Sequence, residues 1–167
     1  MNNRPAVVSI LMVMFNVPLL AQSTTPSWKE YVYPRDGFAI TLPSPPSIWK
    51  DPDHPNTQYT LHPTSDVVIS VSAAGEVEDC PGQLGSWKQG MRDRWGPSSL
   101  KDVSLDGHAG FECEHKGQQG DEIYGRFFCE NGTLYTVAGS WPVDNPKPSV
   151  VTRIVESFRI LDSGARR

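Results

Sequence analysis

The residues best suited to holding a metal are His54, His62, His108 and His115, which stand among Asp51, Asp53, Glu112 and Glu114. Imidazole and carboxylate make a transition-metal site only when three or four of them converge. The spacing here does not bring that about locally. There is no His-x-x-x-His pair and no Asp-x-Asp-x-Asp-Gly loop. If residues 108–115 form one strand, its period of two puts His108, Glu112 and Glu114 on one face and His115 on the other. A site would need partners from other segments. The run Asp51-x-Asp53-His54 is a local possibility, set among prolines. Solvated side chains are the expectation, with no metal and no cofactor.

Other chemistry finds less support. No Gly-x-Ser-x-Gly elbow occurs, and the closeness of His108 and His115 to Cys113 and Cys129 in sequence is not a nucleophile–base arrangement. Glu76 with Glu78, and Glu112 with Glu114, are pairs of the kind solvated strand faces carry, which gives no reason to invoke glycoside chemistry. Phosphate-loop and dinucleotide glycine patterns are absent. No catalytic residue is expected. Of the five tryptophans, Trp87 and Trp95 read as the apolar side of a helix, and Trp49, beside a proline-rich loop, reads as exposed. Asn131-Gly132-Thr133 matches a glycosylation acceptor, but its place in a hairpin accounts for it.

These residues sit in a chain of 167 with 15 Lys+Arg against 19 Asp+Glu. A net charge of -4 argues against a basic nucleic-acid binder, and the length argues against a large multidomain enzyme. Residues 1–23 read as a signal peptide. Arg4 supplies the positive start, residues 6–15 an apolar run broken only by Ser9, and Asn16 and Pro18 end it before Leu19-Leu20-Ala21-Gln22-Ser23. The run is too short for a comfortable membrane span of about 20 residues. Removing it takes Arg4 away and leaves a mature charge of -5. A secreted or periplasmic protein is expected, with no stable membrane span after processing.

Residues 24–167 read as one domain, with its core in 28–161. Strands are expected near 28–33 and 38–42 around the turn Pro34-Arg35-Asp36-Gly37, with a short extended piece at Ile48-Trp49. A hairpin follows at 57–62 and 66–73. Pro81 opens a helix in which Leu84, Trp87, Met91 and Trp95 recur at helical spacing, and Gly96-Pro97 stops it. A four-strand meander comes next, turning at Asp106-Gly107, around 116–121 and at Asn131-Gly132. Val150, Val151, Ile154, Val155 and Phe158 share one face of a last helix, and Ile160-Leu161 could add an edge strand. The order predicts an α+β fold: an antiparallel sheet, built of a meander plus N-terminal hairpins, with two helices packed on it.

Export permits disulfides among Cys80, Cys113 and Cys129, and three cysteines allow one pair. Pairing Cys113 opposite Cys129 sets His115 against Phe127 and Gly117 against Gly125. It also gathers Phe111, Cys113, Phe127 and Cys129 on one face. The expected disulfide is therefore Cys113–Cys129, closing a loop of about 15 residues for roughly 3 kcal/mol, with Cys80 free. The competitor bonds Cys80 to either strand cysteine, tying the helix start to the sheet.

The Trp-x-x-Tyr opening, Gly37-Phe38-Ala39-Ile40-Thr41-Leu42-Pro43, Gly107-x-x-Gly110-Phe111-Glu112, Arg126-Phe127-Phe128, Leu134-Tyr135-Thr136-Val137 and the closing Ser157-Phe158-Arg159-Ile160 together resemble exported bacterial proteins of the PsbP-like fold family. The resemblance runs over nearly all of 28–161 and rests on the order of its motifs, which are strand core and turn chemistry. It implies a PsbP-like fold used for binding rather than catalysis, in a family that includes photosystem accessory proteins. It carries no set of functional residues onto this chain. The expected function is that of an exported, non-enzymatic binding or accessory protein whose partner is a protein or envelope component and not a nucleic acid. A metal- or small-ligand-binding domain is the alternative, and a hydrolase a distant third.

Overall fold

The computed structural model describes residues 27–116 and 120–161; the signal-peptide reading of 1–23 and the tail 162–167 lie outside the described residues. Two antiparallel sheets form. The smaller holds β1 (Lys29–Tyr33), β2 (Phe38–Leu42) and β10 (Arg159–Ile160), with β2 in the middle. The larger holds β3 (Ser47–Lys50), β4 (Asn56–Thr64), β5 (Val67–Ala74), β6 (Leu100–Leu105), β7 (His108–Lys116), β8 (Asp121–Glu130) and β9 (Thr133–Pro142), in the order β3-β4-β5-β9-β8-β7-β6. Helix α1 (Cys80–Trp95) joins β5 to the meander through a short 3-10 turn at Pro97–Ser99, and α2 (Ser149–Glu156) precedes β10. The α+β class, the two helices and the antiparallel pairing are as the patterning predicts. The division into two sheets is not something local periodicity can show.

The turns carry their chemistry where the sequence puts it. Asn131 at φ 49° and Gly132 at φ 70° supply the positive dihedrals that a two-residue hairpin needs between β8 and β9. The strands then place alternate residues on the two faces of the large sheet. One face presents Tyr59, Leu61, Ile69, Val71, Phe128, Tyr135, Val137 and Trp141, all buried. The small sheet and α2 cover it, contributing Phe38, Ile40, Leu42, Val151, Ile154 and Val155. Phe158 joins the layers, stacking on Phe38 at 5.4 Å and on Phe128 at 6.1 Å. At Gly139 an added Cβ would lie 2.5 Å from Val151 Cγ1 and 2.9 Å from Ile69 Cδ1. Only hydrogen fits between β9 and α2 there.

The other face is less well covered. Helix α1 crosses it with Leu84, Met91 and Trp95 packed on Phe111, Cys113 and Phe127, yet Cys80 is the only fully buried residue of the helix. Trp87, expected in the core, meets Phe127 edge-on at 6.2 Å and keeps 37% of its surface exposed. Gly85 and Gly90, on the flanks of the apolar stripe, are exposed and meet no atom.

The disulfide is Cys80–Cys129, with Cα atoms 5.7 Å apart, and Cys113 is the free thiol. The expected Cys113–Cys129 pair is corrected by the register of β7 and β8. Cys113 lies opposite Gly125, and the pairing runs on to Lys116 opposite Glu122. That register is four residues tighter than the one expected. It sets Phe111 directly against Phe127, whose rings stack at 4.7 Å, and a cross-strand aromatic pair stabilises one register over its neighbours. An even shift keeps the same residues on the same face, so alternation alone cannot distinguish the two. Cys80 reaches Cys129 because Val77 N–H donates to Gly132 C=O at 2.9 Å, docking the segment before α1 on the β8–β9 turn. The Asp79 carboxylate then caps the helix by accepting from Gly82 N–H at 3.0 Å.

Candidate functional site

The three most exposed large apolar side chains of the described residues lie on two edge strands. Val32 is 50% exposed, Ile48 52% and Trp49 53%. Val32 lies on β1, an edge strand of the small sheet, and Ile48 and Trp49 lie on β3, an edge strand of the large one. Between them runs a groove of about 500 Å³ lined by Val32, Tyr33, Arg35, Ile48, Lys50 and Tyr59. It continues past Arg35, Asp36 and Lys50 into a second hollow of about 300 Å³, bounded by His54, Asn56 and Thr133. The turn Pro34-Arg35-Asp36-Gly37 forms the wall between the two.

Asp36 fixes that turn. Its carboxylate accepts from Thr57 Oγ1 at 3.1 Å and, through its other oxygen, from the Tyr59 hydroxyl in a short bond. Burial, and then the hydrogen bond to Asp36, push the Tyr59 phenol well above its ordinary pKa, so it stays a donor. Both acceptor oxygens of Asp36 are engaged from within the fold. Arg35 and Lys50 differ: among the described residues neither has an ion-pair partner. Asn56, at the second hollow, keeps a buried Oδ1 with no hydrogen-bond partner among the described residues. The groove thus offers half-exposed apolar walls and two cations without an ion-pair partner among the described residues.

The residues singled out for metal chemistry lie apart. His108 Nδ1 sits 2.7 Å from Glu130 Oε2. Glu112 accepts from Tyr124 Oη at 2.9 Å and Arg126 Nε at 3.0 Å. Burial, with that bond to Glu112, pushes the Tyr124 phenol up to about 12. Glu114 pairs with Lys147 at 2.8 Å, and Lys147 also lies over the Tyr124 ring at 4.3 Å. His115 is on the opposite face, stacked on Trp95 at 4.7 Å with Nδ1 3.4 Å from Ser99 Oγ. Among the described residues, no three His, Cys, Asp or Glu side chains gather as a metal would need. His54 borders the second hollow, and its Nδ1 is 3.5 Å from Asp51. Asp51 also accepts from the Asp53 and His54 N–H groups, and these bonds, the Asp53 one foremost, lower its pKa. It is a loop-capping carboxylate.

Sequence reasoning found Trp49 but missed Val32, Arg35, Ile48 and Lys50. Arg35 belongs to a turn and Lys50 to the end of a four-residue strand, and each looks like ordinary surface until the two sheets face one another. The available signal was Ile48-Trp49 between Pro45-Pro46 and Pro52: two large apolar residues on a segment too short to bury them.

No family model matches the chain, and no curated protein matches it. Solved structures do. Cyanobacterial PsbP from Synechocystis sp. PCC 6803 superposes with a TM-score of 0.56 at 14% identity, covering 83% of this chain and 95% of that one. A protein from Bacteroides thetaiotaomicron superposes with a TM-score of 0.52 at 10% identity, over 81% of this chain and 49% of that one, so this chain spans about half its length. The chain has the PsbP-like fold. Among the described residues no helix is long and apolar enough to cross a membrane.

Proposed function

We propose that this is an exported, non-enzymatic binding or accessory protein that engages a protein or envelope component through the groove between β1 and β3. The observation that carries it is the coincidence of half-exposed Val32 and Ile48 with Arg35 and Lys50, which have no ion-pair partner among the described residues. Apolar anchors beside charged groups are how interfaces gain affinity and specificity together. A groove open along its length suits a partner segment better than an enclosed small substrate. Export rests on the pattern of residues 1–23, and intact-mass measurement of protein from the native host should show loss of about two dozen residues. A full-length cytoplasmic product would contradict it. The binding role is tested by co-purification of the tagged mature protein from its own envelope fraction. One partner should be recovered in stoichiometric amount and lost from the Val32→Ser/Ile48→Ser variant. Equal recovery with that variant would place the interface elsewhere.

A further inference from the structure

The free edge of β3 has a hydrogen-bonding pattern that the register fixes. Asp51 N–H donates to Asn56 C=O at 2.9 Å, in the same register that pairs Trp49 with Gln58 and Ser47 with Thr60. Hydrogen-bonded and non-hydrogen-bonded pairs alternate in an antiparallel ladder. Ile48 and Lys50 therefore turn their N–H and C=O groups away from β4. Since β3 is the last strand of its sheet, these groups face outward along one lip of the groove. The side chains of the same two residues line that groove, while Trp49 lies on the opposite face of the strand.

Exposed edges are ordinarily blunted by shortness, lysine and proline. Here Pro45, Pro46 and Pro52 confine pairing to a few residues. What they leave open is flanked by large apolar side chains on both faces, Ile48 and Trp49. Resting on the groove as the binding surface, we propose that its occupant is a short extended segment of a partner protein. The segment adds as a strand to β3 and carries a carboxylate side chain to Lys50 and Arg35. Main-chain bonds to Ile48 and Lys50 supply the docking, and apolar side chains of the segment cover Val32 and Ile48. Charge complementarity selects the acidic class. Among the described residues neither groove cation has an ion-pair partner, whereas the nearby Asp36 carboxylate already accepts from Thr57 and Tyr59.

The test uses the mature protein and three synthetic peptides that place valine and a variable residue two positions apart on one strand face, with threonine on the other face; the variable residue is glutamate, serine or lysine. A fourth repeats the glutamate peptide with alternate backbone nitrogens methylated. The glutamate peptide should bind roughly tenfold or more tightly than the serine one, and the lysine peptide least. Methylation should abolish binding, and amide exchange at Ile48 and Lys50 should slow in the complex. The Arg35→Glu/Lys50→Glu variant should reverse the order, and both sites are on the surface, so folding is retained. Equal binding of the methylated peptide, indifference to charge, or binding of none of the peptides would overturn strand addition. So would a dimer of the protein itself built through β3. None of these results bears on the co-purification of a native partner, which fails if no partner is recovered or if the Val32→Ser/Ile48→Ser variant recovers it equally.

Discussion

The Tyr59 hydroxyl donates to the Asp36 carboxylate across the junction between the two sheets, tying the β1–β2 turn to the centre of β4. Tyr59 is buried, and its ring also packs on Tyr33 at 4.4 Å and edge-on to Phe38 at 5.1 Å. Tyr59→Phe keeps the ring and removes the donor, leaving a partly buried carboxylate short of one bond. Urea unfolding should show a loss of about 1–3 kcal/mol. The bond also sets an alkaline limit. The phenol pKa is raised in the folded state by burial and Asp36, so the unfolded chain releases a proton that the folded one retains. This contribution is intact below the unfolded value of about 10 and is lost as pH rises beyond it. The part of the tyrosinate absorbance that Tyr59→Phe removes should therefore appear together with unfolding, and that variant should flatten the alkaline fall.

The Cys80–Cys129 bond spans a sequence separation of 49 and holds the start of α1 to the last turn of the meander. A loop of that size corresponds to roughly 4 kcal/mol in the chain-entropy model. Non-reducing peptide mapping of the purified, unreduced protein should yield one linked pair, Cys80 with Cys129. Reduction should lower stability and loosen α1 before the large sheet, because that helix buries little besides Cys80. A peptide joining Cys113 to Cys129 would show the β7–β8 register to be wrong.

Cys113 is buried opposite Gly125, and burial, with the Glu114 charge second, pushes its thiol up to about 11. At pH 8 it is protonated as well as enclosed, and the thiolate is the reactive species. Iodoacetamide should leave the native protein unlabelled and modify one thiol after denaturation without reductant.

Gly139 admits no side chain beneath α2. Gly139→Ala should cost about 1–3 kcal/mol by forcing Val151 and Ile69 apart. Gly85→Ala, on the exposed part of α1 with nothing near it, should instead stabilise by about 0.5–1 kcal/mol.

Much of this architecture is legible from local chemistry. Asn131-Gly132 and Asp106-Gly107 demand hairpins, and the alternation of 67–73 and the 3.6-residue stripe of α2 name their buried faces. Trp49 reads as exposed because no helix or long strand surrounds it. What local chemistry cannot supply is the position of one strand along another. The β7–β8 register differs by four residues, and every alternating pattern survives that shift. Trp87 reads as core because spacing reports the side of a helix and not how much of a large side chain the sheet covers. The groove was hidden for a related reason: Arg35 and Lys50 become neighbours only when β1 and β3 lie in separate sheets whose edges face each other.

The measurement that tests the groove most directly places a photoreactive amino acid at position 48, in place of Ile48, and at position 66, in place of the exposed Asp66 of the β4–β5 turn. Each protein is expressed in the native host and irradiated in intact envelopes. If the groove binds the partner, one discrete adduct forms from position 48, is absent at position 66 and is absent again when Arg35→Glu and Lys50→Glu are present. The same adducts from both positions, or no adduct from position 48, would contradict it.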